Sequence, residues 1–143
     1  MNRANMVVAK CVSALAALLM IAAAPAKPPA LDVTRVALTR AIAAHDWTTV
    51  ANLTAWPLAV DNYGSPPALA KTKFLKSPRT LSIYFGEGDK DLLHCVATAP
   101  LTYQGDRKQF GYASWLADCN GNEFYFGLRD GKAQFTAYQN VNE

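Results

Sequence analysis

The chain has 143 residues, 51% of them hydrophobic, with 14 Lys and Arg against 11 Asp and Glu. That length builds one hydrophobic core and leaves little for a second. The slight basic excess lacks the charge density of a nucleic-acid-binding surface. It also sits partly in an N-terminal segment that is expected to be removed.

That segment has the layout of an export signal. Arg3 and Lys10 form a short basic region, and an uncharged run dominated by Ala, Leu, Val, Met and Ile follows to Ala26. The run is too short to span a bilayer and suits a signal-peptide core. Ala24-Pro25-Ala26 supplies a small-x-small cleavage pattern, which places the start of the working chain at Lys27. Residues 1–26 then form a cleaved signal and 27–143 a single domain in the periplasm or outside the cell, with no later span. Cleavage removes two basic residues and no acidic ones, so the exported domain is nearly neutral. It also removes Cys11, leaving Cys95 and Cys119, an even pair that an oxidising compartment joins as a disulfide. With only His45 and His94 to add, these widely spaced cysteines do not make a zinc site, and no metal or cofactor is expected.

After the proline-bearing lead-in Lys27–Ala30, helical periodicity begins at Leu31, with Asp32 as the expected N-cap and Val33, Val36, Ala37, Ile42 and Ala44 as its apolar positions. Asp46 caps a second short helix over 47–54 that carries Val50 and Leu53. Trp56-Pro57-Leu58-Ala59-Val60 reads as extended, Pro57 favouring an edge or the start of a strand. Residues 62–67 are a loop. A third helix is expected over Ala68–Ser77, broken at Pro78, and Leu81, Tyr84 and Phe85 keep a helical spacing before Gly86-Glu87-Gly88.

The last third reads as strands. Asn120-Gly121 and Asp130-Gly131 are two-residue hairpin signals. The first pairs Cys119 with Asn122, Ala117 with Phe124 and Trp115 with Phe126. The second pairs Leu128 with Ala133 and Phe126 with Phe135. Setting Cys95 opposite Cys119 adds a further hairpin with its turn at 105–109. The expected fold is α+β, with N-terminal helices packed on a four-stranded antiparallel sheet and one disulfide.

With its N-terminal helices, Pro57-Leu58-Ala59-Val60 and the closing Asp130-Gly131-Lys132 hairpin, the chain resembles small secreted bacterial members of the cystatin-like α+β cone superfamily. That superfamily includes ketosteroid isomerase and nuclear transport factor two. The resemblance implies a curved sheet wrapping a long helix, with a conical cavity between them. It does not imply an activity, because the superfamily holds enzymes, binding proteins and scaffolds.

An isomerase of that type needs a carboxylate base in the cavity, with an oxyanion partner. The expected register puts Ala113, Trp115, Ala117, Phe124, Phe126, Phe135 and Ala137 on the covered face, with no acid or histidine among them. A pocket would therefore be lined by Trp115, Phe124, Phe126 and Phe135, with Asp61 and Tyr63 at its mouth. No nucleophile motif is present, so no catalytic residue is assigned. The opposite face is expected to present Tyr112, Leu116, Tyr125 and Tyr138 among small polar residues, a pattern suited to a protein contact or a homodimer. Lys71, Lys73, Lys76 and Arg79 form a basic cluster, by default a solvated helix face. The favoured function is a non-catalytic binding module for a protein partner, inhibitor-like or immunity-like. The alternative is an isomerase-like cavity protein for a small hydrophobic ligand.

Overall fold

The computed structural model describes residues 23–61, 68–107 and 112–142. Most of the segment expected to be an export signal lies outside them. Among the described residues, no helix is long and apolar enough to cross a membrane.

Helix α1 (Pro29–Ala43) starts with Pro at its first position, where no N–H is needed, and Pro28 is its N-cap. Asp32, expected as the cap, instead lies in the first turn. The buried stripe is Leu31, Thr34, Arg35, Leu38, Thr39, Ala41 and Ile42, at helical spacing. Val33 is 70% exposed, so the other apolar set points away from the core. The helix ends in a Schellman pattern. His45 takes the left-handed conformation (φ 56), its N–H bonds Ile42 O, and the Asp46 N–H bonds Ala41 O.

Helix α2 (Trp47–Leu53) is capped by Asp46 as expected, which accepts from the Thr49 N–H at 3.1 Å and the Thr49 hydroxyl at 2.6 Å. These bonds hold the Asp46 carboxyl below its ordinary value of 3.8, the Thr49 hydroxyl contributing most. A depressed carboxyl contributes stability above its unfolded-state value and loses it as the pH falls through the folded one. Asp46→Ala is thus expected to lower the urea midpoint at neutral pH. The gap should close as the pH drops below 3.8, as urea titrations at both pH values would show.

Strand β1 (Thr54–Asp61) leads to the two-residue strand β2 (Ala68–Leu69). Helices α3 (Lys71–Lys76) and α4 (Arg79–Ser82), a 3-10 turn (Ile83–Phe85) and α5 (Lys90–Thr98) follow. Strands β3 (Thr102–Arg107), β4 (Tyr112–Cys119), β5 (Asn122–Arg129) and β6 (Lys132–Asn140) complete the chain. The six strands form one sheet in the order β2-β1-β6-β5-β4-β3. This overturns the four-stranded antiparallel expectation. β1 runs parallel to β6 and β2 is antiparallel to β1, so the sheet is mixed.

Three local findings explain the difference. Cys95 lies on α5, not on a strand, and its disulfide to Cys119 ties a helix to the end of β4. β4 pairs instead with β3, Tyr103 opposite Trp115, so 105–107 belong to the strand and not to the turn. Residues 108 and 109 of the expected turn lie outside the described residues.

Second, Pro57 sits where the β1–β6 register slips between Thr54 and Ala59, so its missing N–H interrupts no ladder bond. The carbonyls left there are taken by side chains: Arg129 Nη1 donates to Trp56 O at 2.7 Å and Gln134 Nε2 to Thr54 O at 3.4 Å.

Third, β6 carries a bulge. Phe126 faces Phe135 while Tyr125 faces Ala137, leaving Thr136 unpaired in the ladder, and its hydroxyl donates to Tyr125 O at 3.1 Å. The two hairpins at Asn120-Gly121 and Asp130-Gly131 keep the expected register, with positive φ at all four residues.

Candidate functional site

The inward face of α1 is committed to the core, while the flank carrying Val36, Thr39, Arg40 and Ala43 meets α5. At 3.6 residues per turn, Val36, Thr39, Arg40 and Ala43 form one ridge, and Lys90, Leu93, His94 and Ala97 form its counterpart on α5. Between them runs an open groove of about 420 Å³. Its floor is apolar, from Val36, Leu93 and Ala97, with Ala43 at the rim; Thr39 and Thr98 also line it, their hydroxyls donating to Val36 O and His94 O. Arg40, Lys90 and His94 stand along it, with no carboxylate among the described lining residues. Among the described residues, neither Arg40 nor Lys90 has an ion-pair partner. Toward the start of α1 the groove continues into a depression of about 410 Å³ lined by Asp32, Val33, Val36, Ala37 and Arg40.

Two ties set how α5 lies against α1. The first is the disulfide, which holds the middle of α5 to Cys119. The second is Arg35, buried on the inner side of α1. Its Nη1 donates to Ala99 O and, at 3.4 Å, to Val96 O, the carbonyls at the end of α5. Its Nη2 meets Asp32 Oδ1 at 2.7 Å. A cation at a helix C-terminus also complements the helix dipole. Asp32 is further paired with Lys27 at 2.6 Å. The hydrogen bond from Lys27, then the charges of Arg35 and Lys27, hold its carboxyl below 3.8 against the opposing effect of burial. Asp32 therefore enters the groove's extension already neutralised.

The residues expected to line a pocket are brought together, but as packing. Phe124, Phe126 and Phe135 are fully buried and Trp115 nearly so. Phe85 fills the space above them, its ring centroid 4.8 Å from Phe124 and 5.4 Å from Phe135. Asp61 is exposed at the end of β1, and Tyr63 lies outside the described residues.

The expected tyrosine face is divided. Tyr138 lies on the covered face, because the Thr136 bulge exchanges its direction with that of Ala137. It stacks on Tyr84 at 4.5 Å and its hydroxyl donates to Asn122 Oδ1. Leu116 and Tyr125 do share the opposite face, with Ala137 and Ala59, but both are buried, Tyr125 completely. Tyr112 opens β4, its side chain outside what is described. His94, expected on the sheet, is on α5. Of the basic cluster, Lys71, Lys73 and Lys76 are exposed on α3, while Arg79 opens α4 and pairs with Glu87.

A second cleft, about 490 Å³, lies beside the disulfide between Asp91, Leu92, Asp118, Asn120 and Asn122. Its polar groups are partly engaged in holding the β4–β5 turn. Asp118 accepts from the Gly121 N–H, Asn122 from Tyr138, and Asn120 O from Asn142. No cluster of three or more His, Cys, Asp or Glu that could hold a metal occurs among the described residues.

No protein-family model matches the chain. No curated protein matches it either. Among solved structures it is similar to the crystal structure of the Mycobacterium tuberculosis extracytoplasmic function sigma factor SigJ, at 19% identity and a TM-score of 0.39. The match covers 78% of this chain and 41% of that one, so this chain spans less than half of that protein's length.

The groove departs from the sequence expectation because the segment carrying Cys95 is helix α5 and not a strand. The signal was present nonetheless. Asp89 caps α5 by accepting from the Leu92 N–H at 2.8 Å, and Leu93 and Val96 keep helical spacing behind it.

Proposed function

We propose that this chain is an exported, non-catalytic binding module that engages a protein partner. The observation that carries the reading is the α1–α5 groove, an open, apolar-floored trough with cations at its sides. Ligand-sized space on the covered side of the sheet is taken by Phe85, Phe124, Phe126 and Phe135, which favours binding at the surface over an isomerase-like cavity. The contact surface assigned here is the groove and not the tyrosine face, since alanine at Tyr125 or Tyr138 would remove packing. Export rests on the basic, apolar and small-residue segments of residues 1–26. Kinship with the cystatin-like cone superfamily is part of the same proposal, supported by α1 packing against β5 and β6 and by the Asp130-Gly131-Lys132 hairpin.

The test is to express the chain with a C-terminal tag, isolate it from cell envelope and growth medium, and read it by native mass spectrometry. A stoichiometric polypeptide partner is the expected result. A solitary domain carrying a small hydrophobic adduct, or nothing, would overturn the reading.

A further inference from the structure

We infer that the α1–α5 groove docks an amphipathic α-helix whose apolar face is flanked by carboxylates. The inference rests on the binding-module reading and gives its partner a chemistry. The trough lies between two helices whose facing ridges both repeat at i, i+3, i+4 and i+7. A third helix fits such a trough by setting its own ridge into the gap. The outer stripe of α1 from Val33 to Ala43 covers eleven residues, about 15 Å, or nearly three turns of a docked helix.

Charge decides what that helix carries. Arg40 projects from one wall, and Lys90 and His94 from the other, while the described lining of the trough offers no carboxylate in return. Desolvating Arg40 and Lys90 without opposite charges would be costly, so a helix that covers them has to bring Glu or Asp on both flanks. A second copy of this chain is a poor occupant. A two-fold contact through the same face would set Arg40 and Lys90 near their own copies, and Asp32, the one nearby carboxylate on α1, is held by Lys27 and Arg35.

Two stapled helical peptides of about 15 residues, sharing one leucine face and flanked by Glu in one and Lys in the other, test this against the isotopically labelled protein. The Glu-flanked peptide is expected to shift the amide resonances of Val36, Ala43, Leu93 and Ala97. It should bind at least about tenfold tighter than the Lys-flanked one, with an affinity that falls as salt rises. Arg40→Glu with Lys90→Glu, both at exposed positions, should reverse the preference without moving the thermal midpoint. Equal binding of the two peptides, or no shift at the groove, would overturn the proposal. So would groove shifts produced only by phosphatidylglycerol vesicles or by raising the protein's own concentration. A natural partner retained equally by the wild type and the charge-reversed variant would overturn the groove assignment while leaving the binding-module reading intact. The absence of any partner would count against the module reading itself.

Discussion

Replacing Cys95 and Cys119 together by alanine should destabilise the domain by roughly 3.5 kcal/mol, the unfolded-chain entropy released when a loop of about 25 residues is opened. For a domain of this size that is a fall in thermal midpoint on the order of 10–15 °C. The bridge spans 24 positions in sequence and joins the middle of α5 to the end of β4. Its loss therefore loosens a helix against the sheet and leaves the β4–β5 pairing in place. Far-ultraviolet circular dichroism should show the sheet persisting below the new midpoint, while hydrogen exchange in 90–98 accelerates more than in 114–126. A double variant that melts with the wild type would mean that α5 is held by packing and the Arg35 hydrogen bonds without help from the bridge. Thiol alkylation without reductant gives the companion result: neither Cys95 nor Cys119 should be labelled in the folded protein.

Arg35→Met should cost about 2 kcal/mol, the range expected when carbonyls inside the fold lose a charged donor, since Asp32 keeps Lys27 as its partner. Methionine keeps much of the apolar stem, so the loss reports the guanidinium and not the packing volume. What goes is a fork serving three acceptors at once: Val96 O and Ala99 O at the end of α5, and the Asp32 carboxylate on α1. Arg35→Lys should recover only part of the loss, because one ammonium cannot reproduce that planar fork. Urea unfolding of the three proteins ranks them. Equal midpoints for Met and Arg would remove Arg35 as the tie between α1 and α5. The effect should extend to the groove, whose second wall is α5, so the Met variant is also expected to bind the Glu-flanked peptide more weakly.

What was readable in the sequence was mostly local. Asn120-Gly121 and Asp130-Gly131 specify their hairpins because positive φ at two consecutive positions is a short-range demand, and both registers came out as expected. Asp46 was readable as a cap for the same reason. The errors were long-range. The parallel pairing of β1 with β6 joins Thr54 to Phe135 across most of the chain, and no neighbouring residue announces it. Cys95 misled because a disulfide states proximity and not secondary structure, and the cross-strand reading was only one way to satisfy it. Tyr138 was placed on the wrong face because one unpaired residue, Thr136, reverses the alternation after it. On α1 both faces carry apolar residues, so periodicity alone did not show that Leu31, Leu38 and Ile42 go inward while Val33 stays out. The groove inherits these difficulties, since it exists only once α5 is recognised as a helix and docked against α1.

The position of β1 in the sheet also governs when the domain can be finished. Among the described residues its partner besides β6 is the two-residue β2, so the earliest long strand made has almost nothing to pair with until the last one arrives. A chain emerging from the ribosome, or threading through a narrow pore, would carry that strand open until residue 139 or so had followed it. Closure of the sheet is thus an end-to-end event, slow by its long-range nature, and the fold keeps itself incomplete for as long as its C-terminus is still in transit.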